Sequence, residues 1–353
     1  MIPLAAVLRR HCPAYERKFG AWLLPSHRRA VAAILSCRTP ALGGQRYRCD
    51  CGQQHFAYHS CNHRACPQCG HADTTQWLDR QRRRLLPAPY YLVTFTVPEA
   101  LRSLIRSHQK VCYPELLRQS AGALQDVACA HKDLGARVGL LAVLQTWTRD
   151  LRYHPHVHCV VPGGGLSSDG LRWVRPKQPD YFLPQRVLAA RFRTRLKQVL
   201  QRAHPRLLAQ IPATVWRQAW VADVQPVGRG EPALKYLAAY VYRTALSAER
   251  IVADDGQHVT FAWRDNQGRN RTTRLTAPAF LHRFLQHVLP KGLPRVRYYG
   301  WLSAAAESTF ARIAALLDWQ VPALVVPAPL PPPECPACHK PMRLIGRLPR
   351  APP

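Results

Sequence analysis

The chain has 353 residues, 47% of them hydrophobic, enough for one catalytic domain of ordinary size with smaller pieces attached. Lys and Arg number 50 against 20 Asp and Glu, a net charge of +30 spread along the whole chain, so a polyanion is the expected partner and nucleic acid the commonest one. No window offers the roughly 18 uncharged apolar residues of a membrane span, and the first apolar run, interrupted by Arg9 and Arg10, is too short for a secretory signal.

In chain order, residues 1–86 are rich in Cys, His and Arg and close with the helical run HADTTQWLDRQRRRLL before the breaker Pro87-Ala88-Pro89. Residues 87–320 follow as the main domain. Its first strand is the β-branched and aromatic YYLVTFTVP (Tyr90 to Pro98), followed by a long helical stretch from Glu99 to about His131. RVGLLAVLQTW (Arg137 to Trp147) and YHPHVHCVV (Tyr153 to Val161) read as strands, the second closing at Gly163 to Gly165. That glycine run makes a permissive turn, either a plain strand-end loop or a place where a DNA backbone approaches. PQRVLAARFRTRLKQVLQR sets Leu188, Phe192, Leu196 and Val199 at helical spacing. A strand at Trp220 to Val227, a helix over EPALKYLAAYVYRTALS, a hairpin at Asp255-Gly256, a helix from about Pro278 to Val288 and the segment RVRYYGWL complete the domain. In residues 321–353 eleven prolines predict an extended tail in which only CPACHK holds local structure.

The sharpest chemical signal is His156-Val157-His158. Side chains two apart on a strand share a face, so both imidazoles can address one divalent cation. The preceding strand forms a hairpin with this one across RDLR, centred between Asp150 and Leu151. Gln145 then falls opposite His156, where its carbonyl oxygen suits a hard cation such as Mg²⁺ or Mn²⁺ as a third ligand. A slip of one residue would turn it away. Tyr236 and Tyr240 lie one helical turn apart on one face, so two phenols can reach one site in alternation; packing alone also explains such a pair.

Six of the twelve cysteines fall between Cys37 and Cys69, the spacing of metal thiolates in a reducing cytoplasm rather than of disulfides. Cys49-Asp50-Cys51 and Cys66-Pro67-Gln68-Cys69 are two chelating pairs fourteen residues apart, close to a four-thiolate structural zinc site, with Cys37, Cys61 and His63 as alternates, and these seven candidates leave room for a second zinc. Cys335 and Cys338 form half a ribbon; borrowed ligands, from His339 or distant thiols, and a remnant remain open. Cys12, Cys112, Cys129 and Cys159 are core or surface cysteines.

Taken together, CRTPALGGQRYRCDC, YHSCNHRACPQCG, YHPHVHCVVPGGGL, LKYLAAYV and VRYYGWLS occur in the order of the two-tyrosine rolling-circle transposases of the insertion-sequence-91 family, and over nearly its whole length the chain resembles that family. The family belongs to the HUH superfamily of single-strand endonucleases. The resemblance implies an α+β fold, an HUH-type central antiparallel sheet flanked by helices, preceded by a small Cys-rich zinc-binding domain that grips DNA ends. It also implies that His156 and His158 hold the catalytic metal and that Tyr236 and Tyr240 are the nucleophiles. The expected activity is nicking and rejoining of single-stranded DNA at element ends and target through a 5′-phosphotyrosine intermediate, in a bacterial, cytoplasmic, nucleoid-associated protein without membrane contact. With no GxxxxGK[ST] motif, strand separation falls to a host helicase or the replication machinery. Two rival readings are a zinc-dependent DNA-binding regulator without catalysis and a metal-dependent phosphohydrolase without a covalent intermediate.

Overall fold

The computed structural model describes residues 2–69, 81–178, 180–229, 244–323 and 331–351. Helices α1 (Leu4–Phe19) and α2 (Pro25–Ser36) lead into a hairpin of β1 (Gly44–Arg48) and β2 (Gln54–Tyr58). Then come β3 (Pro89–Thr96), α3 (Gln109–Ala130), β4 (Leu140–Trp147), β5 (Tyr153–Pro162), α4 (Gln185–Ala203) and β6 (Val221–Arg229). The last part holds β7 (Ile251–Asp254), β8 (His258–Arg264), β9 (Asn270–Thr276), α5 (Ala277–Leu285), β10 (Val296–Tyr299), α6 (Glu307–Leu316) and β11 (Arg343–Leu348). The architecture is mixed α/β with antiparallel sheets.

The main sheet has five strands in the order β10-β4-β5-β3-β6, each pair antiparallel, with β5 in the middle. Strand alternation gives it two unlike faces. On one, Val93, Phe95, Ala142, Leu144, Val157 and Cys159 meet Leu116, Leu117 and Leu124 of α3 and Leu188, Phe192 and Leu196 of α4 in the largest core. The amphipathic pattern read for α4 thus points inward as its spacing predicts, and each fully buried Leu or Phe contributes roughly 1.5–3 kcal/mol. On the other face Tyr90, Leu92, Leu141, Val143 and Val160 form a small apolar patch, which gives way along the same strands to Thr94, Thr96, Gln145, His156 and His158.

A second core joins segments far apart in sequence. Leu4, Val7, Leu8, Ala30 and Ile34 of α1 and α2 pack against Ile251, Val259, Phe261, Phe280, Leu281 and Phe284. The N-terminal helices each carry an apolar stripe with too little surface between them to bury it alone. They share it with the three-stranded sheet β7-β8-β9 and α5, so the spatial grouping runs across the boundary read after residue 86.

Several local expectations change. The long helix read from Glu99 breaks at His108 (φ −119°, ψ 42°), where Ser107 Oγ donates to the carbonyls of Ser103 and Leu104 and competes with the helical ladder. The strand read from Arg137 is interrupted at Gly139, where a Cβ would stand 2.5 Å from the Trp301 ring. The glycine run after β5 is buried packing rather than an approach for DNA: a Cβ on Gly163 would stand 2.7 Å from Tyr91, and one on Gly164 2.5 Å from Trp173. Within the tail, the described residues 331–351 depart from the extended form that the prolines predict, because Arg343–Leu348 adds as a strand to β1. The run HADTTQWLDRQRRRLL falls mostly, and the tyrosine-bearing segment almost wholly, outside the described residues.

Candidate metal centre and nucleic-acid cleft

The β4–β5 hairpin sets the site. Gln145 pairs with His156 and Val143 with His158, as expected, but Trp147 pairs with Tyr153 next to the turn, so the register shifts by one residue between Gln145 and Trp147. That turn is fastened at its tip. Leu151 adopts a left-handed conformation (φ 63°) and buries its side chain in the second core. Arg283 donates to the Asp150 carbonyl at 3.2 Å, and His287 Nε2 donates to the Leu151 carbonyl at 3.1 Å.

The two imidazoles face each other with Nε2 atoms 3.0 Å apart. Two ligand atoms in adjacent positions of an octahedral cation, each at about 2.1 Å, are separated by about 3.0 Å, so the donor pair fits one divalent ion. His156 Nδ1 lies 2.7 Å from the His154 carbonyl oxygen; an oxygen of that kind only accepts, so Nδ1 carries the proton and Nε2 keeps its lone pair. Burial pushes the His156 imidazole down to about 4 and holds His158 well below its ordinary value, so both rings are neutral at pH 7. Gln145, 5% exposed, and His158, 7% exposed, are almost withdrawn from solvent.

Thr94 is a site residue that the motif reading missed. It lies opposite His158 on β3, and its Oγ1 is 2.9 Å from His158 Nδ1, a contact that holds the angle of the ring and serves either tautomer, since a hydroxyl both donates and accepts. The signal was present in YYLVTFTV, where Thr94 and Thr96 interrupt one face of an otherwise apolar strand.

The histidines open into a cleft of about 530 Å³ between the end of the main sheet and the β8–β9 hairpin, lined also by His154, Arg149, Arg152, Arg250 and Trp263. Arg152 is well exposed beside Asp150, to which it pairs at 2.8 Å. Arg149 and Arg250 are differently employed: Arg149 donates to the carbonyls of Arg264 at 3.2 Å and of Asp265, and Arg250 to those of Ala262 at 2.8 Å and Ala245 at 3.1 Å and to that of Arg149, tying the hairpin tip to the three-stranded sheet. Basic side chains beside an indole are the means by which a groove follows a phosphate backbone and stacks bases. Tyr236 and Tyr240 lie outside the described residues.

The cysteines assemble differently from the four-thiolate set read from sequence. Cys66 and Cys69 converge with Cys37 and Cys61, all four sulfurs lying within 4.8 Å of one another. Cys49 and Cys51 instead meet Cys335 and Cys338. The reason is the β1–β2 hairpin: Cys49 and Cys51 sit in its turn, whereas Cys37 and Cys61 flank its open end. Strands of five residues separate those ends by about 17 Å, too far for one ion to bridge. His63 joins neither group; its Nδ1 accepts the Ala65 N–H at 3.2 Å and caps the turn leading to Cys66.

A family model described as "Transposase zinc-binding domain" matches residues 7–97, and one described as "Putative transposase" matches residues 139–309. The chain is 36% identical over 374 aligned positions to "Putative transposase y4qJ" of Sinorhizobium fredii (strain NBRC 101917 / NGR234), covering 96% of this chain and 93% of that protein. It is 28% identical over 292 positions to "Transposase for insertion sequence element IS801" of Pseudomonas savastanoi pv. phaseolicola, covering 77% of this chain and 69% of that one. No solved structure matches the chain. Among the described residues no helix is long and apolar enough to cross a membrane. The excess of basic charge, the clustered thiols and the matched regions agree, and the chain belongs to the insertion-sequence-91 family of transposases, with a transposase zinc-binding domain at its N-terminal end and DNA as its substrate.

Proposed function

We propose that this transposase nicks and rejoins single-stranded DNA by tyrosine attack, in an HUH-type nuclease site built on β4 and β5. The observation that carries the reading is the pair of buried, neutral imidazoles, Nε2 to Nε2 at 3.0 Å, at the mouth of a cleft lined with arginines. A Mg²⁺ or Mn²⁺ ion held by His156, His158 and Gln145 would supply Lewis-acid neutralisation of the scissile phosphate, worth several kcal/mol. The exposed Arg152 holds a flanking phosphate, and Trp263 offers a face on which a base stacks.

Tyr236 or Tyr240 attacks phosphorus through its phenolic oxygen, forming a P–O bond to the protein as the bond to the 3′ oxygen breaks. The phenolic proton leaves to solvent and the 3′ oxygen gains one, so the products are a 5′-phosphotyrosine and a free 3′-OH. The bond energy is conserved, and rejoining needs no ATP. With two tyrosines, one keeps the first 5′ end while the other cuts a second strand. Cys37, Cys61, Cys66 and Cys69 hold a structural zinc: with four protein ligands no coordination position remains for chemistry. A host helicase or the replication machinery exposes the single strand.

The test is chemical. Incubated with single-stranded DNA from its own element's end and Mg²⁺ or Mn²⁺, the protein should migrate as a covalent adduct with the 5′ side of the cut. Cleavage by water, with no adduct, would replace this reading by a phosphohydrolase.

Two smaller effects follow. Thr94→Val keeps the strand and removes the contact to His158 Nδ1, so the affinity for Mn²⁺ measured by calorimetry should fall about 10–100-fold. An unchanged affinity would mean that the hydroxyl does not orient the ligand. Affinity for single strands should decline with salt at a log–log slope of about −0.7 per phosphate neutralised; a flat response would remove backbone contacts as the source of binding.

A further inference from the structure

We propose that the chain holds a second structural zinc ion in a site shared by its two ends, with Cys49, Cys51, Cys335 and Cys338 as four thiolate ligands. Cys335 and Cys338 lie outside both regions matched by the family models. Their sulfurs nevertheless come within 4.8 Å of those of Cys49 and Cys51. Individual separations are 3.3 Å for Cys49–Cys338, 3.5 Å for Cys51–Cys335 and 3.7 Å for Cys51–Cys338. Four sulfurs at about 2.3 Å around a tetrahedral zinc stand about 3.8 Å apart, so the cluster needs only a slight expansion to receive the ion.

The backbone presents the thiols as two facing turns. In the first, Gly52 (φ 91°) donates its N–H to the Cys49 carbonyl at 2.9 Å. In the second, His339 (φ 57°) donates to the Cys335 carbonyl at 2.9 Å, while the Cys335 N–H donates to Lys340, also at 2.9 Å. Pairing of β11 with β1 lays the turns side by side, because Arg48 lies opposite Arg343. The contact spans 289 residues of chain between Cys49 and Cys338.

The packing here argues for a metal. The buried residues of this corner are Cys49, Cys335 and Met342, with Tyr47 and Cys338 packed against them. So small an apolar group does not support two turns and a strand addition by burial, and in such modules bound zinc supplies the folding free energy. The C-terminal CPACHK segment thereby completes the N-terminal zinc-binding region, and the other zinc, on Cys37, Cys61, Cys66 and Cys69, is independent of it.

Cobalt(II) titration of the metal-free, reduced full-length chain tests this, read by the sulfur-to-metal charge-transfer and d–d absorption of tetrahedral thiolate sites. A His156→Ala/His158→Ala background removes binding at the nuclease site. The parent should saturate at two equivalents. Cys335→Ser/Cys338→Ser and Cys49→Ser/Cys51→Ser should each saturate at one, and combining them should remove no more. Saturation of the parent at one equivalent, or of Cys335→Ser/Cys338→Ser at two, overturns the proposal. If a variant fails to fold, the parent titration and a native-mass count of zinc per chain decide: two ions support the site and one overturns it. A parent purified without reductant whose Cys49 and Cys338 are disulfide-linked also overturns it.

Discussion

Alanine at His156 or His158 should abolish the proposed metal-dependent cleavage of single-stranded DNA and leave much of the DNA affinity in place. The two effects separate because different groups produce them. Loss of either imidazole breaks a chelating pair set at 3.0 Å, and with it the several kcal/mol of charge neutralisation at phosphorus. At 1.36 kcal/mol per factor of ten, the cleavage rate should fall at least about 1,000-fold. Affinity, on this proposal, rests on basic side chains such as the exposed Arg152, which neither substitution touches. Cleavage assays and gel shifts on the same preparations compare the two, with the melting transition as a control for the cavity left by a buried ring. A variant that still cuts at the parental rate would remove the metal from the reaction.

The site was legible where local geometry dictates it. Period two places His156 and His158 on one face, and Gln145 falls opposite His156 as expected, although an irregularity between Gln145 and Trp147, which the turn alone did not announce, shifts the register by one residue on the way. The apolar positions of α4 were legible for the same reason: their spacing requires a buried stripe, and Leu188, Phe192 and Leu196 fill it. Thr94 was harder to find, since its importance comes from a neighbouring strand 64 residues away rather than from its own segment.

What the sequence hid was long-range pairing. Chelating pairs announce metal binding without announcing which pairs meet. Cys49 and Cys51 are nearer in sequence to Cys66 and Cys69, yet the β1–β2 hairpin carries them to its far end, where β11 delivers Cys335 and Cys338. The proline count of the tail concealed that strand, because prolines before Arg343 leave the ladder of Arg343–Leu348 intact. The shared core of α1, α2, β8 and α5 was hidden likewise: an amphipathic helix shows that it needs a partner and not which one.

The largest effect belongs to the tyrosines. Tyr236→Phe and Tyr240→Phe each keep the ring and remove one phenolic oxygen, so a loss of activity is a loss of nucleophile rather than of packing. If the two alternate, either single variant permits one cut and blocks complete strand transfer, because the enzyme then lacks a second oxygen to take up the second 5′ end. If these are the nucleophiles, the double variant should give no covalent adduct, while its affinity for single strands stays near the parental value. The adduct is read directly by denaturing electrophoresis with 5′ and 3′ labels on the DNA, so the absence of a shifted band is not confused with weak binding. An adduct that survives in the double variant would assign the reaction to another tyrosine. Strand transfer that survives either single change would show that one phenol serves both cuts.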